Sequence, residues 1–148
     1  MEISKALVAI KGEKVDEEAI RLACTLARRR KAKVYVVYVI EVKRVLPLDA
    51  EIEPETEKAE QVLKRAERIA DEVDYEVETE LLQAREVGPA IVDEAVERGV
   101  DIIIMGMAYK KPFGEFELGS AVPYVLKNAP CRVLLLRETM ESDSLGER

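Results

Sequence analysis

Strand-patterned segments recur along the whole chain with helix-patterned segments between them, and that alternation leaves few architectures open. "KALVAI" near the start is a continuous apolar run of strand length, and "KVYVVYVI", Lys33 to Ile40, is a second. "VDIIIMG" and "CRVLLLR" follow later in the chain. Runs this apolar, rich in β-branched residues, belong to strands covered on both faces. "DYEVETELL" differs: Tyr75, Val77, Thr79 and Leu81 alternate with Glu76, Glu78 and Glu80. One charged side and one apolar side is the pattern of a sheet edge. A chain that alternates strand and helix in this way builds a parallel sheet flanked by helices, an α/β fold.

The helical segments carry their own signals. After a turn at Gly12, Asp16 is expected to cap a helix with Glu17 and Glu18 in its first turn, and Ile20, Ala23, Cys24 and Ala27 share one face. The basic cluster Arg28 to Lys31 falls where that helix ends and complements its dipole. From Pro54 to Val73 the residues Ala59, Val62, Leu63, Ala66, Ile69, Ala70 and Val73 keep helical spacing. Gly88 and Pro89 open a third helix, with the proline at its first position, and Gly99 closes it. A fourth runs from Ser120 to about Asn128. The connection from Glu41 to about Glu53 is longer than most, which marks it as a lid or a partner surface.

Composition excludes several functions. With 148 residues, 48% of them hydrophobic, the chain fits one domain with a real core, assigned here to residues 1–137, and 138–148 read as an acidic, frayed tail. A net charge of -7 repels nucleic acid and anionic lipid. The N-terminus is charged within its first five residues and no segment approaches a membrane span, so a soluble, cytoplasmic protein is expected, with no nucleic-acid or membrane partner. Cys24 and Cys131 stand far apart and read as core residues, not as a disulfide or a metal site. The chain has no histidine, which removes Ser-His-Asp, Cys-His and HExxH chemistry. Rossmann GxGxxG and P-loop patterns are absent, and no nucleophile is paired with a base, so the chain is not expected to be an enzyme.

The segment "GMAYKKPFGEFELGS", Gly106 to Ser120, joins the fourth strand to the fourth helix. The helix that follows offers unpaired N–H groups from Ser120 to Val122 and a dipole that favours an anion. Lys11, Lys110 and Lys111 would add positive charge there, against Glu115 and Glu117. Plainer roles exist for each residue. Ser120 is a good N-cap whatever binds, Gly106 and Gly119 permit sharp turns, and Tyr109, Phe113 and Phe116 can pack over the sheet edge or a partner subunit.

"DIIIMG", the long loop and "GSAVPYVLKNAPCRVLLLR" together resemble the universal stress protein family, whose pattern here is Gly, two residues, Gly, nine residues, Gly, Ser, then a helix and an Ala-Pro-Cys turn into a final strand. "VGPAIVDEA" and "KVYVVYV" are similar to other family segments, so the likeness spans residues 3 to 137. The resemblance implies a three-layer, Rossmann-like sandwich with a five-stranded parallel sheet in the order 3-2-1-4-5, in keeping with the edge pattern of the third strand. It also implies a crevice where the order reverses, between strands 1 and 4. Carried over residue by residue, it implies that Ala9, Lys11, Val39, Gly106, Tyr109, Gly119, Ser120 and Ala121 line an ATP or AMP site, with Mg2+ only alongside ATP. Two positions depart from the family: its second glycine is Tyr109 here, and its aspartate after the first strand is Lys11. Tyrosine brings a side chain where glycine leaves room for phosphate, and an ammonium reverses the charge of a carboxylate. "KKPFG", Lys110 to Gly114, resembles a variant loop of some members, in which Gly114 supplies the freedom missing at Tyr109.

The uninterrupted "VLLL" of the last strand, Arg132 to Arg137, would leave an apolar edge open to a second chain. Family members commonly dimerise through this strand, so a homodimer is expected. The leading expectation is a dimeric module that binds an adenine nucleotide, or a related anionic ligand, and reports stress to a protein partner. The alternative is the same fold without nucleotide, acting through its dimer surface.

Overall fold

The computed structural model describes residues 2–109 and 120–140. In chain order these form β1 (Lys5–Ile10), α1 (Val15–Arg28), β2 (Lys33–Glu41), α2 (Glu53–Glu72), β3 (Glu78–Ala84), α3 (Val87–Arg98), β4 (Ile102–Met107), α4 (Ala121–Asn128) and β5 (Arg132–Arg137). All strand pairs are parallel, in the order β3-β2-β1-β4-β5. The expected α/β sandwich and its strand order are both present.

Side-chain alternation decides the layers. Ala6, Val8 and Ile10 of β1 face α1 and α2, where they meet Ile20, Cys24, Ala66 and Ile69. Leu7 and Ala9 face the other way, toward Ile91 and Ala95 of α3 and Val122 and Val125 of α4. The chain steps one way from β1 to β3 and the other way from β4 to β5. Right-handed crossovers therefore put α1 and α2 on one face and α3 and α4 on the other. β1, with neighbours on both sides, is buried throughout except at Lys5, and the four apolar residues of β5 are half-buried.

Four local expectations are corrected. Asp16 does not cap α1; it lies inside the helix, and Lys14 occupies the cap position without a side-chain bond. β3 begins at Glu78, later than its alternating pattern, because the chain must first leave α2. It does so through a left-handed residue, Asp74 (φ 55°), and Tyr75, whose hydroxyl donates to the carbonyl of Ala32. Ser120 stands at the cap position of α4 but has helical backbone angles and makes no side-chain cap bond. Pro89 falls within the first turn of α3 rather than at its first residue, where its missing N–H is equally harmless.

Among the described residues no helix is long and apolar enough to cross a membrane. The connection after β2 is held down from β3. The Arg85 guanidinium donates to the carbonyls of Lys43 (2.7 Å) and Leu46 (2.8 Å), and the Gln83 amide donates to those of Leu48 and Ala50 (both 2.9 Å).

Candidate functional site

β1 pairs with β2 on one side and β4 on the other, and its following helix lies on the opposite face from the one after β4. In open α/β sheets a ligand crevice is expected at the carboxyl ends of two such strands, where the order reverses and the helices that follow lie on opposite faces. Ala9 stands between Val37 of β2 and Met105 of β4 in the register. With Val39 and Ala121 it belongs to one apolar cluster on the α3 and α4 face, joined there by Leu82 and Val87. The structure thus brings three of the expected residues, Ala9, Val39 and Ala121, into one apolar wall beside the crevice. Such a wall suits the face of a planar base.

Gly106 turns the other way. A Cβ on it would stand 2.8 Å from Val15 Cγ1, so its missing side chain makes room for the start of α1 over β4. That is a packing role, whatever else its backbone does.

The β1–α1 loop is organised by Asp16, a buried carboxylate that accepts the backbone N–H groups of Gly12 (2.7 Å), Glu13 (2.9 Å) and Lys11 (3.3 Å). Gly12 makes the turn with φ 84°, a conformation that favours glycine. Burial raises the Asp16 carboxyl above its ordinary range, and the three N–H groups only partly oppose it. These donors are committed to Asp16, so what this loop offers a ligand is the Lys11 side chain. Its ammonium is half exposed and stands 3.4 Å from Glu13 Oε1. The position of Asp16 could have been read from periodicity: it shares the buried phase of α1 with Ala19, Ile20 and Ala23, and a carboxylate there must find donors.

Tyr109 is drawn to the end of β5. Its N–H donates to Glu138 Oε1 (2.7 Å), its ring lies under the Arg137 guanidinium (4.9 Å to the centroid), and the Glu138 N–H donates to the carbonyl of Met107 (2.8 Å). Neither Arg137 nor Glu138 was singled out in the sequence, since both contacts join residues far apart in the chain. Ser120 is exposed at the start of α4. Lys110, Lys111, Gly114 and Gly119 lie outside the described residues, as do Phe113, Glu115, Phe116 and Glu117. Among the described residues no group of three or more His, Cys, Asp or Glu side chains could hold a metal ion.

The model of the universal stress protein family matches residues 2–137. A curated universal stress protein of Methanocaldococcus jannaschii is 31% identical over 140 residues, covering 90% of this chain and 82% of that protein. Among solved structures, the universal stress protein from Archaeoglobus fulgidus superposes with a TM-score of 0.74 at 25% identity, over 91% of this chain and 98% of that one. The Archaeoglobus fulgidus protein in complex with dAMP gives a TM-score of 0.72 at 26% identity, with the same coverage of 91% and 98%.

Proposed function

The chain belongs to the universal stress protein family, and on that premise we propose that it is a small regulatory module of the stress response that binds an adenine nucleotide, ATP or AMP, or a related anionic ligand. The observation that carries this reading is the dAMP complex of the archaeal relative. The apolar wall of Ala9, Val39 and Ala121 at the reversal of strand order supports it, because a base has a surface to lie on there. Lys11, a half-exposed cation at the start of the β1–α1 loop, is suited to an anionic group once it leaves Glu13. Mg2+ would accompany the triphosphate only. The module is proposed to bind without turnover, in the cytoplasm, as a homodimer formed through β5.

A second reading keeps the fold and drops the nucleotide, leaving a dimeric interaction protein. It is favoured by one observation: the loop leaves β4 through Tyr109, whose N–H is already bonded to Glu138. A thermal-shift series separates the two. A nucleotide that binds only the folded protein stabilises it by about 2.7 kcal/mol at a concentration about 100 times its Kd. ATP or AMP is expected to raise the melting temperature, Gly119→Val to abolish the rise, and Lys11→Asp to change the preference between nucleotides. No rise with any adenine nucleotide, and no small molecule released from the purified protein on denaturation, would leave the second reading standing.

A further inference from the structure

Arg98, the last residue of α3, holds two carboxyl groups at once. Its Nε–H donates to Glu94 Oε2 on the same helix (2.9 Å), and its Nη2 donates to Glu80 on β3, at 2.6 Å to Oε2 and 3.2 Å to Oε1. Nε and Nη2 form the guanidinium edge that ordinarily takes both oxygens of one carboxylate. Here the oxygens come from two carboxyl groups, which are brought within hydrogen-bonding reach of each other. Two ionised carboxylates cannot make that bond, since each is an acceptor only. One of them has to carry a proton.

Glu94 is the one suited to hold it. Glu94 is buried, whereas Glu80 keeps a side open to water and has both oxygens on the guanidinium. Burial raises the Glu94 carboxyl, and the bond with Glu80 adds to the rise. Few other charges face the cluster. Lys5 of β1 donates to the Arg98 carbonyl (3.2 Å), Lys33 of β2 stands 3.9 Å from Glu78 on β3, and the Tyr35 ring of β2 lies under the guanidinium (4.7 Å to the centroid). Asp93 and Glu97 of α3 are exposed. α4 meets α3 where Tyr124 packs on Gly88, and among the described residues it brings no ion pair to Glu80, Glu94 or Arg98.

Once the proton passes to solvent, a single guanidinium faces two carboxylates, one of them buried, and like charges in contact repel. We propose that Glu80 and Glu94 share one proton over Arg98, and that this proton closes a joint between β3 and α3 which opens when it leaves. Glu94 stays on Arg98, four residues on in the same helix, so Glu80 is the side chain that turns away to water. Its departure removes the tie between strand and helix. The closed joint binds the proton more tightly than the open one, so rising pH opens it. Leu82 on β3 and Val87 on α3 belong to the apolar cluster of Ala9, Val39 and Ala121, so the two elements tied here also carry part of that wall.

The test is carboxyl-carbon NMR of the full chain from about pH 3 to about pH 9, a range that extends to both sides of ordinary glutamate titration. The Glu80 and Glu94 carbons, assigned through their bonded neighbours, are expected to move together in one step above the ordinary value of 4.5. Glu94→Gln, whose amide imitates the protonated acid as donor and acceptor, should abolish the step. Amide exchange in β3, taken relative to an unstructured peptide at each pH, should quicken at least about tenfold across the step in the wild type and stay level in Glu94→Gln. The carbon titration is of the wild type, so it reads the shared proton even if the variant folds poorly. Neither readout needs a nucleotide, and the result is independent of the binding proposed above. The proposal is overturned if the two carbons titrate independently at or below 4.5, if the step survives in Glu94→Gln, or if β3 exchange in the wild type ignores the step.

Discussion

A methyl group added at Gly106 would meet Val15 Cγ1 at 2.8 Å, below any ordinary contact, in a position where both residues are buried. Gly106→Ala is expected to cost about 1–3 kcal/mol through overpacking, and Val15→Ala in the same chain to return most of it, as urea unfolding of the double-mutant cycle would measure. Two aspartates make a second residue-scale comparison. Asp101 accepts the N–H groups of Ser4 (2.5 Å) and Lys5 (2.9 Å), which hold its carboxyl below the ordinary value of 3.8. Asp16 also accepts backbone N–H groups, yet burial raises its carboxyl above 3.8. The signs are therefore opposite. Stability linked to Asp101 is complete above its unfolded value near pH 3.8 and is lost as pH falls through the lower folded value. Stability linked to Asp16 is complete below pH 3.8 and is lost as pH rises through the higher folded value. Against Asp101→Asn, the wild type's advantage should grow with rising pH; against Asp16→Asn it should shrink. Unfolding free energies from about pH 3 to pH 7 check both. The sequence points to Asp16 as a helix cap; periodicity alone could have placed it on the buried side, but not the three loop donors it satisfies.

At the scale of elements, α3 is fastened to the sheet through Arg98. Its guanidinium donates to Glu94 on α3 (2.9 Å) and Glu80 on β3 (2.6 Å) and lies over the ring of Tyr35 on β2 (4.7 Å). Burial raises the Glu94 carboxyl, with Glu80 beside it adding to the rise, whereas bonds from Glu94 and Arg98 outweigh burial at Glu80 and lower it. The charged side of β3, which read as a wet edge, is thus partly consumed by a helix. The β2–α2 connection is also more ordered by contacts than its length suggested. Pinned at four carbonyls by Gln83 and Arg85, it presents Val45, Leu46 and Leu48 to solvent. Arg85→Met removes two of those bonds. Hydrogen bonds to charged groups are worth about 1.5–3 kcal/mol, so hydrogen exchange in residues 43–50 should speed up by at least about tenfold while global unfolding changes little. Unchanged exchange in that segment would mean the bonds do not hold it.

For the whole molecule, the open question at the sheet's ends is association. β5 is the outer strand beside β4, and Val133, Leu134, Leu135 and Leu136 are all half-buried in the single chain. If a second copy covers this edge, the melting temperature should climb across about a hundredfold rise in protein concentration, because dissociation accompanies unfolding. A constant melting temperature together with a monomer mass by light scattering would count against the dimer. The far edge, β3, is protected differently, by the exposed Glu78 at its start and by the pinned connection.

Layering, strand order at the β3 edge and the exclusion of histidine chemistry were all legible in the sequence, and so was the family. The physical reason is that burial is non-directional and nearly additive, so a period of two or of 3.6 residues is enough to say which side of an element faces the core. Tertiary structure alone decided which atoms meet: Gly106 under Val15, Asp16 on its loop, Tyr109 beneath Arg137, and Glu17 of α1 paired with Arg65 of α2. Those contacts are short-ranged, several are directional, and many join residues remote in the chain, so only the folded path of the backbone determines them.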